Sequence, residues 1–153
     1  MPYLHLDTNG HYPTSVKRDL AKHMSRVYAE IMQTTPDLVN VAFRELGEGN
    51  VWNGAGETPR AAAVLSLEIS RGRPPEQRER LAKALLAVVV EALGLDPTLT
   101  PVEMTQHAGD EIYMEGYVDG ALYGALGRDW SPEEVDKPLI DQMITEKRMA
   151  HSR

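Results

Sequence analysis

Three residues at two separate places in the sequence could together act on a small organic acid. Pro2 follows the initiating methionine, and removal of that methionine would leave a secondary amine at the N-terminus. An α-amino group has a pKa of about 7.7–8.0, and an apolar pocket or a nearby cation lowers this pKa, so the amine can be a neutral general base. Arg71 and Arg73 are one residue apart, and guanidinium groups bind carboxylates through two parallel hydrogen bonds. Taken singly, a second-position proline and two arginines in a solvated loop are also common without any chemical role.

The composition narrows the classes of protein to which the chain could belong. Its 153 residues include no cysteine, which excludes disulfides, a thiol nucleophile and thiolate metal sites. The net charge of −7 and the pI of about 5.2 argue against a nucleic-acid partner. The sequence has neither a membrane-span pattern nor a signal-peptide pattern, so we expect a cytoplasmic protein without membrane contact. The five histidines lack metal-ligand spacing and no phosphate-binding loop is present, so we expect neither metal nor cofactor.

Two stretches of the sequence contain the same order of predicted elements. Apolar residues alternate in the predicted strands and recur at three- and four-residue steps in the predicted helices. The first stretch has a strand at residues 4–6, a helix at 14–33, a strand at 38–46 and a polar loop at 47–56. The second stretch has a strand at 61–70, a turn that contains both arginines, a helix at 76–93 and a strand at 98–107.

The two stretches align without a gap at an offset of 61 residues. The matched pairs include Leu4 and Leu65, Leu6 and Leu67, Pro13 and Pro74, Pro36 and Pro97, and Val41 and Val102. A chance agreement between two amphipathic helices is the alternative, but the match also runs through strands and turns, which favours duplication. Pro2 aligns with Ala63, so only the first unit can supply an N-terminal proline.

The duplication predicts an α+β fold with two tandem β-α-β units. A helical crossover makes the two strands of each unit parallel. Neither unit can cover its sheet face alone, so we expect one four-stranded mixed sheet with both helices on one face. We expect oligomerisation to cover the other face. The chain is then a single domain, residues 1–153, with units at about 2–56 and 61–116 and a C-terminal extension at 117–153.

Two structural questions bear directly on the candidate chemistry. If the first strands of the two units are antiparallel neighbours, the turn that contains Arg71 and Arg73 comes close to Pro2. The C-terminal extension could cover this site, cover an oligomer seam, or be a plain surface extension. Within it, residues 131–134 have the spacing of a helix start, and Pro138 interrupts any long helix.

These features resemble the tautomerase superfamily over roughly residues 2–116. The resemblance consists of the proline after the initiating methionine, the fused β-α-β pair, the Asn-Val-Trp-Asn-Gly stretch at 50–54 and the arginine pair after the third strand. The chain looks most like the fused cis-3-chloroacrylic acid dehalogenase and malonate semialdehyde decarboxylase families, and residues 69–77 are especially similar to the decarboxylase turn. The resemblance implies a cofactor-independent, homotrimeric enzyme in which Pro2 is catalytic and the two arginines bind a substrate carboxylate.

The resemblance also suggests further candidate residues. Tyr28 stands where the dehalogenase pattern has a histidine, and Glu115 lies one position after the place of its water-activating glutamate. Either residue could donate or relay a proton. Asp37 is close to the place of the decarboxylase aspartate.

The function predicted from these residues is a tautomerase that interconverts keto and enol forms of small 2-oxo acids. Neutral Pro2 would move the proton while the arginines hold the carboxylate. One alternative uses a protonated Pro2 in a hydrolytic dehalogenase, a hydratase or a 3-oxo acid decarboxylase. Another is a trimeric binding or signalling protein with vestigial tautomerase activity.

Overall fold

The computed structural model describes residues 2–54, 56–118, 121–127 and 129–131. Two long helices and a set of short strands follow one another along the chain. The helices are α1 (Thr14–Met32) and α2 (Pro75–Leu93). The strands are β1 (Tyr3–Thr8), β2 (Asn40–Glu45), β3 (Trp52–Asn53), β4 (Arg60–Ala61), β5 (Ala63–Ser70), β6 (Val102–His107), β7 (Tyr113–Val118) and β8 (Ala121–Leu126). Short 3-10 turns lie at Pro36–Leu38, Pro97–Leu99 and Gly109–Glu111.

The main sheet has four strands in the order β2-β1-β5-β6. The strands within each unit are parallel, β1 with β2 and β5 with β6, and the units meet where β1 pairs antiparallel with β5. The predicted four-stranded mixed sheet and the α+β fold class are therefore confirmed. Separate two-stranded sheets are formed by β3 with β4 and by β7 with β8.

The two units repeat in structure at the offset that the sequence predicts. The first residues of the helices, Thr14 and Pro75, are 61 positions apart, and so are the residues that end them, Gln33 and Gly94. Both ending residues have left-handed backbone geometry, with φ of 55° and 65°. Glycine adopts this geometry without steric cost, which explains why α2 stops where it does.

A shared hydrophobic core lies between the sheet and the helices. Alternate positions of the central strands are fully buried because successive side chains in a strand point to opposite faces. Their partners are the apolar faces of both helices, so neither unit has a core of its own. The buried set includes Leu4, Leu6, Leu65, Leu67 and Ile69 from the strands and Leu20, Met24, Leu81, Leu85 and Val89 from the helices.

Several predicted segments have ends that were wrong by one to four residues, among them the first strand, predicted at 4–6 and observed at Tyr3–Thr8, and the third, predicted at 61–70 and observed at Ala63–Ser70. The strand predicted at 38–46 begins at Asn40, and the one predicted at 98–107 begins at Val102. In both cases a 3-10 turn begins at the proline, Pro36 or Pro97, and delays the strand. The loop predicted at 47–56 contains β3, which pairs with β4 beyond the predicted loop.

The sheet face that the helices leave open is polar. His5 is 3.6 Å from Glu68, which is 3.9 Å from His107, and Arg44 forms an ion pair of 2.6 Å with Asp7. An antiparallel pair at the centre of a sheet can have one solvated face. If oligomerisation covers this face, as the sequence predicts, the contact meets polar and charged side chains.

Neither helix in the described ranges combines the length and the apolar character that crossing a bilayer requires. The predicted helix start at 131–134 and Pro138 lie outside the described residues, apart from Ser131.

Candidate active site

One edge of the sheet contains both the first residue of β1 and the last residue of β5. The arginine turn, Arg71-Gly72-Arg73, follows β5 at this edge. Tyr3 pairs with Glu68 in the antiparallel register, so Pro2 lies at the level where β5 ends. Pro2 is buried, and its carbonyl accepts a 3.1 Å hydrogen bond from the N–H of Asn40 at the start of β2. The antiparallel arrangement on which the predicted proximity depended is therefore confirmed.

Arg71 is the exposed member of the arginine pair. Its side chain is 60% exposed, and its Nε donates to Oδ2 of Asp129 at 2.6 Å. This hydrogen bond raises the pKa of Arg71 and lowers the pKa of Asp129. The second carboxylate oxygen of Asp129 accepts from the N–H of Gly109 at 2.8 Å. Arg71 is therefore solvent-exposed at this edge of the sheet. Its guanidinium group binds the Asp129 carboxylate, which in turn binds the backbone N–H of Gly109.

Arg73 is buried and contacts the end of α1. Its Nε and Nη2 donate to the carbonyl of Met32 at 3.2 and 2.9 Å, while Nη1 has a longer contact of 3.4 Å with the carbonyl of Ser70. The guanidinium carbon lies 5.6 Å from the centre of the Trp130 ring, within the range of a cation–π interaction. Burial lowers the pKa of Arg73, and the neighbouring Tyr28 opposes that change. The two arginines therefore have different environments although they share one turn.

Tyr28 lies in the core, below Arg73. The residue is 1% exposed, and burial raises its pKa to about 12, against a smaller opposing effect of the Arg73 charge. The phenol is therefore protonated at neutral pH and can donate a hydrogen bond.

The other two candidate residues are exposed and lie outside the four strands of the main sheet. Glu115 is exposed on β7, opposite Gly124 of β8, in a sheet separate from the main one. Asp37 is exposed in the 3-10 turn that precedes β2, near the sheet edge at which Pro2 lies. Their roles remain predictions.

The sequence reasoning missed the Asp129-Trp130 dipeptide, which folds back onto the arginine turn. The N–H of Trp130 donates to the carbonyl of Arg71 at 2.9 Å. Gly72 has φ of +114°, and a Cβ added there would collide with the carbonyl oxygen of Trp130. The only sequence signal was an acid beside a tryptophan after a glycine-rich stretch, which is too weak to indicate a partner 58 residues away.

The described residues offer cationic and hydroxyl groups at this edge rather than metal ligands. Within the described ranges, no group of three or more histidine and acidic side chains is arranged to hold a metal ion. The chemistry available from the chain itself is anion binding by guanidinium groups and proton transfer by an amine or a phenol.

Solved structures with this fold are found, although neither a family model nor a curated protein matches the sequence. N1, a member of the cis-3-chloroacrylic acid dehalogenase family, is 17% identical with a TM-score of 0.69, and the match covers 94% of this chain and 99% of that one. A fused 4-OT solved as a symmetric trimer is 22% identical with a TM-score of 0.63, covering 78% and 94% of the two chains. FG41 malonate semialdehyde decarboxylase, inhibited by 3-bromopropiolate, is 11% identical with a TM-score of 0.59, covering 72% and 86%.

These similarities establish the fold of the chain. It is the fold of tautomerase-superfamily structures, as the residue pattern predicts.

Proposed function

We propose that the protein is a cofactor-independent enzyme of the tautomerase superfamily that interconverts the enol and keto forms of small 2-oxo acids. The observation that carries the proposal is the antiparallel register of β1 and β5, which brings the buried Pro2 to the edge where the arginine turn begins. Similarity to fused 4-OT, dehalogenase and decarboxylase structures supports an enzyme of this superfamily.

The proposed reaction needs one amine and one anion-binding group. After removal of Met1, the neutral Pro2 nitrogen takes the proton of the enol hydroxyl. The oxygen electrons then form the carbonyl, and the carbon–carbon π pair accepts a proton at the adjacent carbon from the protonated Pro2 amine, which returns to its neutral form. Burial and nearby guanidinium charge both favour the neutral amine, because each disfavours its protonated form.

The two arginines have unequal shares in the proposed binding of substrate. Arg71 is exposed and in the described contacts uses only Nε, so its terminal nitrogens are available to a carboxylate. Arg73 already uses all three of its nitrogens on the carbonyls of Met32 and Ser70, so its contribution is a fixed positive charge beneath the site. Tyr28 donates a hydrogen bond, and Glu115 relays a proton. Because Glu115 lies in the separate β7–β8 sheet, it serves a neighbouring subunit's site in a trimer like the fused 4-OT structures.

The decisive experiment compares two forms of the protein that differ only at the Pro2 nitrogen. One is the parent with Met1 removed, verified by intact mass, and the other carries an added N-terminal residue that keeps a peptide bond on that nitrogen. Ketonisation of phenylenolpyruvate, followed by ultraviolet absorbance, is expected to be about 10²–10⁴-fold slower in the blocked form because the general base is lost. Equal rates in the two forms would reject the proposal.

Matched variants separate the site from general effects of substitution. Pro2→Ala and Arg71→Ala are expected to lose activity. Pro59→Ala and Arg80→Ala, which change an exposed proline just before β4 and an exposed arginine within α2, are expected to retain it.

A further inference from the structure

The contact between Asp129 and Arg71 is more specific than an ordinary surface ion pair. Both carboxylate oxygens are used, Oδ2 by Arg71 Nε at 2.6 Å and Oδ1 by the backbone N–H of Gly109 at 2.8 Å. The carboxylate is therefore fixed to the main chain at one end and to the guanidinium at the other. It restrains where the arginine side chain can lie.

Asp129 contacts one side of the Arg71 guanidinium group, and this determines which of its N–H donors remain for a ligand. A guanidinium group has five N–H donors, and only one of them is on Nε. Because the described hydrogen bond uses Nε, the edge formed by Nη1 and Nη2 keeps its donors. That edge has the spacing to bind a second carboxylate through two parallel hydrogen bonds.

The neighbouring residue holds the main chain of the same turn. The N–H of Trp130 donates to the carbonyl of Arg71 at 2.9 Å, and the Trp130 ring lies against the Arg73 guanidinium. The close approach of Trp130 to Gly72 leaves no room for a side chain there. The Asp129-Trp130 dipeptide thus contacts every residue of the arginine turn.

We propose that Asp129 is a positioning residue that binds Arg71 through Nε and so presents the two terminal nitrogens of Arg71 to the substrate carboxylate. This inference rests on the proposed function. It assigns the site a residue from beyond the duplicated units, in the C-terminal extension for which the sequence left a role at the site open.

The opposite role for Asp129 makes an opposite prediction. A carboxylate that merely competed with the substrate for Arg71 would weaken substrate binding, and its removal would lower KM. A positioning residue strengthens binding, so its removal raises KM. The direction of the change in KM therefore decides between the two roles.

The test measures kcat and KM for phenylenolpyruvate in Asp129→Ala and in a matched control, Asp110→Ala. Asp110 is exposed and also acts on Arg71 through its charge, without the hydrogen bond to Nε. We expect Asp129→Ala to raise KM by about 10- to 100-fold, as a misplaced binding group does. We expect kcat to change much less, and Asp110→Ala to leave KM unchanged or lower it. Asp129→Glu, which keeps the carboxylate, is expected to recover part of the loss.

A lowered or unchanged KM in Asp129→Ala, or an equal increase in Asp110→Ala, would overturn the inference. Failure of the proposed function is recognised separately, because the parent protein would then be no more active than its N-terminally blocked form. Circular dichroism of each variant checks that the fold is intact; a solvent-exposed ion pair contributes little to folding.

Discussion

At the scale of single residues, identical side chains two positions apart have different physical roles. Arg71 is exposed and bound to a carboxylate, whereas Arg73 is buried and bound to a backbone carbonyl. The difference follows from the neighbours, since Arg73 faces the end of a helix and the core. We therefore propose unequal shares for the two arginines in binding a substrate carboxylate.

Tyr28 gives a prediction of pH-dependent stability at the same scale. Its pKa is raised from an ordinary value of about 10 to about 12 in the folded protein. Between these values the folded state keeps a proton that the unfolded chain has lost. The free energy of unfolding should therefore fall as the pH rises through this window, by at most about 3 kcal/mol from Tyr28.

The measurement is urea unfolding of the parent and of Tyr28→Phe at mildly and strongly alkaline pH. Phenylalanine has no proton to lose, so the variant should show a smaller decrease than the parent. Tyr113→Phe, at a tyrosine that is 56% exposed, is the matched control and should behave like the parent. Identical decreases in parent and Tyr28→Phe would contradict the prediction.

At the scale of elements, the second unit supplies the groups that complete the end of α1. The last carbonyls of a helix have no partner within the helix. The carbonyl of Ile31 accepts from Nε2 of Gln77 at 2.8 Å, and that of Met32 accepts from Arg73. The two units are thus joined by specific hydrogen bonds as well as by the shared core.

This contact predicts unequal stability of two otherwise similar variants. Arg73→Ala leaves the buried Met32 carbonyl without its two donors, which should lower the free energy of unfolding by about 1–3 kcal/mol. Arg71→Ala removes only an exposed side chain and should leave the stability close to that of the parent. Urea unfolding followed by circular dichroism measures both, and equal midpoints for the two variants would contradict the role of Arg73 at the helix end.

At the scale of the whole molecule, the most exposed large apolar side chains of the described residues lie outside the four-stranded sheet, on the segment after β2 and on the β7–β8 hairpin. Leu46 and Trp52 are 48% and 56% exposed, and Tyr113 and Leu126, which pair across β7 and β8, are 56% and 61% exposed. The open face instead has charged and polar side chains. If subunits associate, we expect the apolar side chains to contribute more than the polar face, because burying charges is costly unless they are paired.

Light scattering after size exclusion tests the proposed assembly. We expect a mass three times the 17.0 kDa of the chain, as for a homotrimer. Apolar contacts are not weakened by salt, whereas exposed ion pairs are screened, so the mass should persist in concentrated sodium chloride. A monomeric mass at micromolar concentration would reject the trimer, and dissociation in salt would assign the contacts to the charged face instead.

The sequence by itself determined the local elements and their duplication. Strand alternation, helix periodicity and the turn after the third predicted strand are properties of neighbouring residues, so they can be predicted one segment at a time. The repeat then predicted the four-stranded sheet, because two half-covered units have few ways to share a core. The candidate pair of Pro2 and the arginine turn was found in the same way, from residue type and position.

Only the tertiary structure decided what each group contacts. The antiparallel register of β1 and β5, the burial of Arg73 against Met32 and the contact of Asp129 with Arg71 join residues that are distant in sequence. Such contacts depend on how packed elements meet, and no local periodicity encodes them. For this reason the sequence could indicate an arginine pair near Pro2, while the division of that pair into one exposed and one buried residue required the packed fold.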